Sequence, residues 1–165
     1  MDISQTLTLF ATGLISISLL LLALQVKFAK HLKNNEEQNL NTSFALWVGS
    51  IFLSACFVIS KMLVILNDAL KIHKSIKSEI LDYFKTISIF IGLYSIWILI
   101  LILIVNSLSK LVFGSRSEKL ELTKNNQSFF ILKSLFLIGS AFALLSIFEG
   151  LLKIFMPTIQ TPFYH

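Results

Sequence analysis

From Ile3 to Val26 the chain carries no ionisable side chain. Coiled as a helix at 1.5 Å of rise per residue, that stretch more than covers a hydrocarbon core of about 30 Å. Thr86 to Ser109 is equally free of charge, and the charged residues are swept into the segments between apolar blocks. A soluble chain carries roughly 25% charged residues. Here the figure is 14%, against 55% hydrophobic residues and a mean hydropathy of +0.80. Lipid is therefore the expected solvent. The whole of 1–165 is needed for spans and short loops, which makes one integral membrane domain and leaves no room for a soluble catalytic one.

The first run is preceded by Asp2 and followed by Lys27, Lys30 and Lys33. A secretory signal would want its basic residues in front and a small-residue cleavage site behind, so an uncleaved span is expected. A short polar connector over 27–40 then forces an antiparallel second span, from about Leu40 to Leu66, whose first amides Asn41, Thr42 or Ser43 can cap. Asn67 to Lys85 has no Gly or Pro, and Ala69, Ile72, Ile76, Ile80 and Tyr83 recur at helical spacing. The expectation there is an amphipathic helix on the membrane surface, with long extensions of spans two and three as the alternative. The third span is Thr86–Ser109. The fourth runs from Phe129 to about Phe155 and stops before Pro157. The fold class expected is thus all-α, with four transmembrane helices.

The order of features repeats. Asn41-Thr42-Ser43-Phe44 opens one apolar run and Asn126-Gln127-Ser128-Phe129 opens another, 85 positions on, with Phe57 matched by Phe142. One run earlier in each half, at an offset of 80, Phe10 matches Phe90, Leu19 matches Leu99, Leu21 matches Leu101 and Lys30 matches Lys110. Two repeated antiparallel hairpins are expected, over about 3–66 and 86–156.

Small polar residues mark the helix-packing faces. Thr8, Thr12 and Ser16 recur every fourth residue on the first span, Ser50 and Ser54 on the second, and Gly139 and Ala143 on the fourth. Such residues let membrane helices approach closely; a polar pore lining is the other reading of the first stripe. Cys56 is the single cysteine, so no disulfide within the chain is possible, and mid-span it reads as a packing thiol. Glu149 is the one carboxylate inside an expected span, where a charge is costly and marks a functional hypothesis. Lys153 lies one turn on, in the favourable i,i+4 order. Lys61 is 17 residues past Phe44 and Glu149 is 20 past Phe129, so parallel spans would set them about 4.5 Å apart in depth. A Lys61–Glu149 pair between the halves is one arrangement. Separate snorkelling towards the same interface is the other.

The +5 balance rests on lysines and a single arginine, Arg116. Lys30, Lys33, Lys71, Lys74, Lys77, Arg116 and Lys119 lie in connectors, where they face anionic headgroups or a protein partner; the scarcity of arginine, the fork that grips phosphate, argues against direct nucleic-acid binding. Connectors one and three hold eight basic residues against six on the other side, which by the positive-inside rule puts those connectors in the cytoplasm and both termini outside. His31, His73 and His165 fall in separate connectors with no cluster of carboxylates or thiols. No nucleophile–base order, phosphate loop or metal spacing is present, so no enzyme, cofactor or metal is expected.

The layout resembles a bacterial family of uncharacterised four-helix inner-membrane proteins built from a tandem two-helix repeat. Asn41-Thr42-Ser43-Phe44-Ala45 with Gly49, and Asn126-Gln127-Ser128-Phe129 with Gly139, are the positions that match it. Phe stands for a small residue in both copies, and the central segment is longer. The resemblance implies a multi-pass inner-membrane protein without known catalysis. A non-catalytic subunit that forms homo-oligomers and docks a cytoplasmic protein is the function expected. The lysine-rich, AT-rich-looking composition and the small size fit a membrane component of an anti-phage defence system. A small ion-conducting pore or transporter is the alternative.

Overall fold

The structure, a computed structural model, describes residues 3–33, 41–75, 79–114 and 116–157, and of 27–33 the backbone alone. It contains helices α1 (Ile3–Lys33), α2 (Thr42–Ser75), α3 (Ile80–Phe113), α4 (Glu118–Thr123), α5 (Gln127–Ala143) and α6 (Leu145–Ile154), and no strand among the described residues. α1, α2 and α3 are each long and apolar enough to cross a membrane. α5 and α6 pass the same test together, across a bend of 44° at Leu144.

α2 is the central rod and packs against α1, α3, α5 and α6. Trp47, Ile51, Ala55, Val58, Met62 and Leu66 are all buried on it. α1 contributes only a narrow stripe: Thr12, Ser16, Leu20 and Leu24 are buried at four-residue spacing, while Leu7, Phe10, Leu14, Leu19 and Val26 face outward. Each hydroxyl of that stripe bonds back to its own helix, Thr8 to the Ser4 carbonyl, Thr12 to that of Thr8 and Ser16 to that of Thr12, at 2.8–2.9 Å. Thr12 and Ser16 are buried in the bundle with their hydroxyls satisfied on their own helix, as suits close helix packing, whereas Thr8 is half-buried and lines an open cleft with Tyr83 and Phe84.

The separate amphipathic helix expected between spans two and three is not there. α2 continues unbroken to Ser75 and α3 begins at Ile80, with 76–78 outside the described residues. Asn67-Asp68 does not stop a helix without Gly or Pro beside it. Asp68 instead accepts from Lys71 one turn on, at 3.0 Å. Ala69, Leu70 and His73 extend the buried stripe of Met62, Ile65 and Leu66. The helical periodicity across Asn67–Lys85 therefore belongs to the ends of two helices that face each other. The His73 Nε2 lies 2.8 Å from the Thr86 hydroxyl, and its ring lies 5.0 Å from that of Tyr83. At 34 residues each, α2 and α3 reach about 51 Å, well beyond a core of about 30 Å.

The fourth apolar segment is broken where a straight rod was expected. The Leu144 amide bonds to the Ser140 carbonyl at 3.0 Å, and the Leu144 carbonyl accepts from both Ile147 and Phe148 at 3.1 Å. The bend swings Phe148 onto Trp97 of α3, with ring centroids 5.3 Å apart, and buries Leu152.

α2 and the α5–α6 rod start at the same end and run parallel. Ser134 donates to the Leu46 carbonyl at 3.3 Å, the Phe57 and Phe142 rings sit 4.5 Å apart, and Lys61 lies beside Glu149. The two motif asparagines act alike at that shared end. Asn41 Oδ1 accepts from the Ser43 amide at 3.0 Å, and Asn126 Oδ1 accepts from the Phe129 amide at 3.3 Å. Both side-chain nitrogens then grip α4: Asn41 Nδ2 donates to the Leu122 carbonyl at 2.7 Å and Asn126 Nδ2 to the Glu121 carboxylate at 2.6 Å. Asn125, at φ 50, holds a left-handed turn that asparagine tolerates. Its Oδ1 accepts from the Ser43 amide and hydroxyl at 3.1 and 2.8 Å. Asn41→Ala removes a cap and a clasp together, and is expected to cost about 1–2 kcal/mol. A lower midpoint of thermal unfolding in mild detergent would show it; an unchanged midpoint would mean that water replaces both bonds.

Candidate functional site

The charges inside the apolar part of the bundle gather where α2 meets α6. Glu149 Oε1 accepts from Lys153 Nζ at 2.8 Å, one turn along α6, and Glu149 Oε2 lies 3.6 Å from Lys61 Nζ on α2. The second contact is an ion pair beyond hydrogen-bond distance. Parallel packing and similar counts from the two Asn-x-Ser-Phe starts, 17 and 20 residues, bring Lys61 and Glu149 to similar depths, while helical spacing brings in Lys153. Two cations against one carboxylate leave one positive charge. The side chains of Lys61, Glu149 and Lys153 are 45%, 31% and 59% exposed, so the network lies on the outside of the bundle. Val64, Ile147 and Ile154 beside it are exposed and apolar. A charged group in such surroundings has to reach an interface, water or another protein.

The other residues singled out on the sequence divide among several places. Ser50 and Ser54 are buried on α2, with the Ser50 hydroxyl on the Trp47 carbonyl at 2.8 Å. Gly139 and Ala143 are exposed, and a Cβ built on Gly139 would meet nothing within 4 Å among the described residues; Ala141 takes the inward place instead. Cys56 is half-buried. Arg116 and Lys119 are exposed at the end shared by connectors one and three, and Lys71 and Lys74 are exposed at the opposite end. The described basic residues thus form two groups, one at each end of the bundle. Lys77 lies outside the described residues, as do the side chains of Lys30 and Lys33.

Two groups escape sequence reading. His73 is buried against Thr86 and Tyr83 at the end of the bundle where the chain starts. Lys133 is 2% exposed, 2.8 Å from Glu118 Oε2 of α4 and 4.3 Å above the Trp47 ring centroid. A buried ammonium held by a carboxylate and an aromatic face is a packed ion, unlike the solvated edge lysines around it. Its partners come from α2 and from a connector, at separations that no local spacing rule covers.

Comparison with protein-family models, with curated proteins and with solved structures finds no match to this chain. Replacing Lys61 and Glu149 by Ala, separately and together, tests whether the pair is coupled. The double variant is expected to lose about as much folded, detergent-extractable protein as either single one. Losses that simply add would show two charges that act independently.

Proposed function

We propose that the chain is a non-catalytic, multi-pass subunit of a bacterial inner membrane that forms homo-oligomers through the outer face of α5–α6. The reading takes α5 and α6 as one bent fourth span, so that the chain is two hairpins, α1 with α2 and α3 with α5–α6. The observation that carries it is a stripe of small residues turned to the outside. Gly139, Ala143, Ser146 and Gly150 recur at spacings of four, three and four, and all are exposed. A Cβ built on Gly139 or Gly150 would meet nothing within 4 Å. Lipid-facing positions gain from large apolar side chains, whereas small residues in this spacing let a second helix come close. The half-exposed Lys61–Glu149–Lys153 network lies on the neighbouring side of the same rod. A second copy seated there would shield it from hydrocarbon.

The exposed Arg116 and Lys119, with the rest of connectors one and three, form the side that would dock a cytoplasmic protein. A place in anti-phage defence belongs to the same proposal and rests on composition and size. The pore reading needs several copies, because the charged network faces outward from a single chain.

Gly139→Leu and Gly150→Leu test the interface directly, since the open space around both leaves the fold of one chain untouched. Each is expected to turn the oligomer into monomer in mild detergent, read by mass photometry or cross-linking. An oligomer that survives both substitutions places the interface elsewhere, and liposome conductance abolished by Glu149→Gln would replace the subunit by the pore. The four-crossing arrangement has its own check, on a Cys56→Ser background. Ser4→Cys and Phe155→Cys should react with an impermeant thiol reagent from the same side of the membrane. Reaction from opposite sides would make α5–α6 a re-entrant element.

A further inference from the structure

At the end of the bundle where α2 and α5 start, a cleft of ≈ 410 Å³ opens between the last turns of α3, the link into α4 and the first turns of α5. Polar residues predominate among those that line it, with Asn106, Ser109, Lys110, Arg116, Glu118 and Lys133 set between the apolar Leu103 and Phe129. Three of those side chains are cations and one is a carboxylate, so the cleft is positive even with Glu118 paired to Lys133 at 2.8 Å. The Ser109 hydroxyl is the second, independent sign. Ser109 is 6% exposed, and its Oγ has no hydrogen-bond partner within the structure. Ser107, two residues earlier, spends its hydroxyl on the Leu103 carbonyl at 3.0 Å, as helical serines commonly do. A buried hydroxyl left unpaired beside a cluster of cations is a donor waiting for an acceptor.

We infer that this cleft binds the phosphate group of an anionic phospholipid. Lys110 and Arg116 approach it from the rim, Lys133 supplies fixed positive charge at the floor, and Ser109 donates to an oxygen. Position favours a lipid over phosphate in solution. Lys110 directly follows the charge-free run that ends at Ser109, which puts the cleft at headgroup level. Leu103, on the same wall, lies seven residues deeper, 110 − 103, or about 10 Å along α3, and its side chain is exposed. A headgroup seated among the cations would leave its acyl chains on that apolar face.

The test uses the full chain purified in mild detergent, with phosphatidylglycerol and phosphatidylcholine as probes and retained lipid read by native mass spectrometry. Phosphatidylglycerol should be retained in preference to phosphatidylcholine. Lys110→Gln and Arg116→Gln should each weaken that retention about fivefold, the worth of one cation near an anionic surface, and Ser109→Ala should weaken it as well. Both basic positions are exposed, so these variants fold even where Lys133→Met, which strands Glu118, does not. Lys119→Gln and Lys124→Gln lie at the same end but outside the cleft and should change nothing. Equal retention of the two lipids overturns the site, and so does an equal loss in the Lys119 and Lys124 variants, which would reduce it to diffuse surface charge. Inorganic phosphate is added as a competitor at about 10 mM. Retention that resists it supports the lipid, whereas displacement would keep the phosphate site and overturn lipid as its occupant.

Discussion

Two helices that start at the same end of a bundle bring their unpaired amides together, and this bundle is arranged around that difficulty. Each helix start leaves four amides without partners and carries about half a positive charge. Antiparallel neighbours offset one another in this respect, but α2 and α5 run parallel, so their ends add. The chain meets them with acceptors. Asn41 and Asn126 cap their own helices, and Asn125 reaches across to Ser43. The short α4 brings two carboxylates to the same place. Glu118 and Glu121 lie three residues apart, on adjacent turns; one holds Lys133 and the other accepts from Asn126. Connector three is therefore more than a link between spans. It supplies carbonyl and carboxylate acceptors at the end that parallel packing makes positive.

Parallel packing also explains the charges further along. A chain that pairs its second and fourth apolar segments in the same direction brings residues at similar distances from the two starts to similar depths. Lys61 and Glu149 meet for that reason, and their depth match is legible in the positions of the two Asn-x-Ser-Phe motifs alone. Whether such residues touch also depends on which way each side chain faces. In lipid that information is scarce, because hydrophobic residues suit both the inside and the outside of the bundle. Gly139 and Ala143 illustrate the loss. Their small size marks them as packing residues, but nothing in an apolar helix says that they face outward while Ala141 faces in.

The straight α2 and the bent α5–α6 are hidden in the sequence for a related reason. Asn67-Asp68 looks like a break, yet Asp68 is satisfied by Lys71 and the buried stripe continues through Ala69, Leu70 and His73. Leu144 looks like any other apolar residue, yet the rod turns there so that Phe148 can stack on Trp97. Tertiary contacts decide both points. Lys133 is legible only as a basic residue near a span edge. Its burial depends on Trp47 from the other half of the chain and on Glu118 from a connector, and no sequence period links the three.

The uneven surroundings of α2 and α5 bear on what completes the molecule. α2 has α1, α3, α5 and α6 around it, and its exposed surface is correspondingly small. The α5–α6 rod packs on α2 and α3 and leaves Gly139, Ala143, Ser146 and Gly150 exposed. If the chain is one hairpin and its echo, the side of α2 that receives a helix from the second hairpin has a counterpart on α5 that receives none. That open side, edged with small residues and flanked by Lys61, Glu149 and Lys153, is where the proposed second copy would sit. In the proposed oligomer the charged network would lie at the seam between copies, where a neighbouring helix would keep its charges from hydrocarbon.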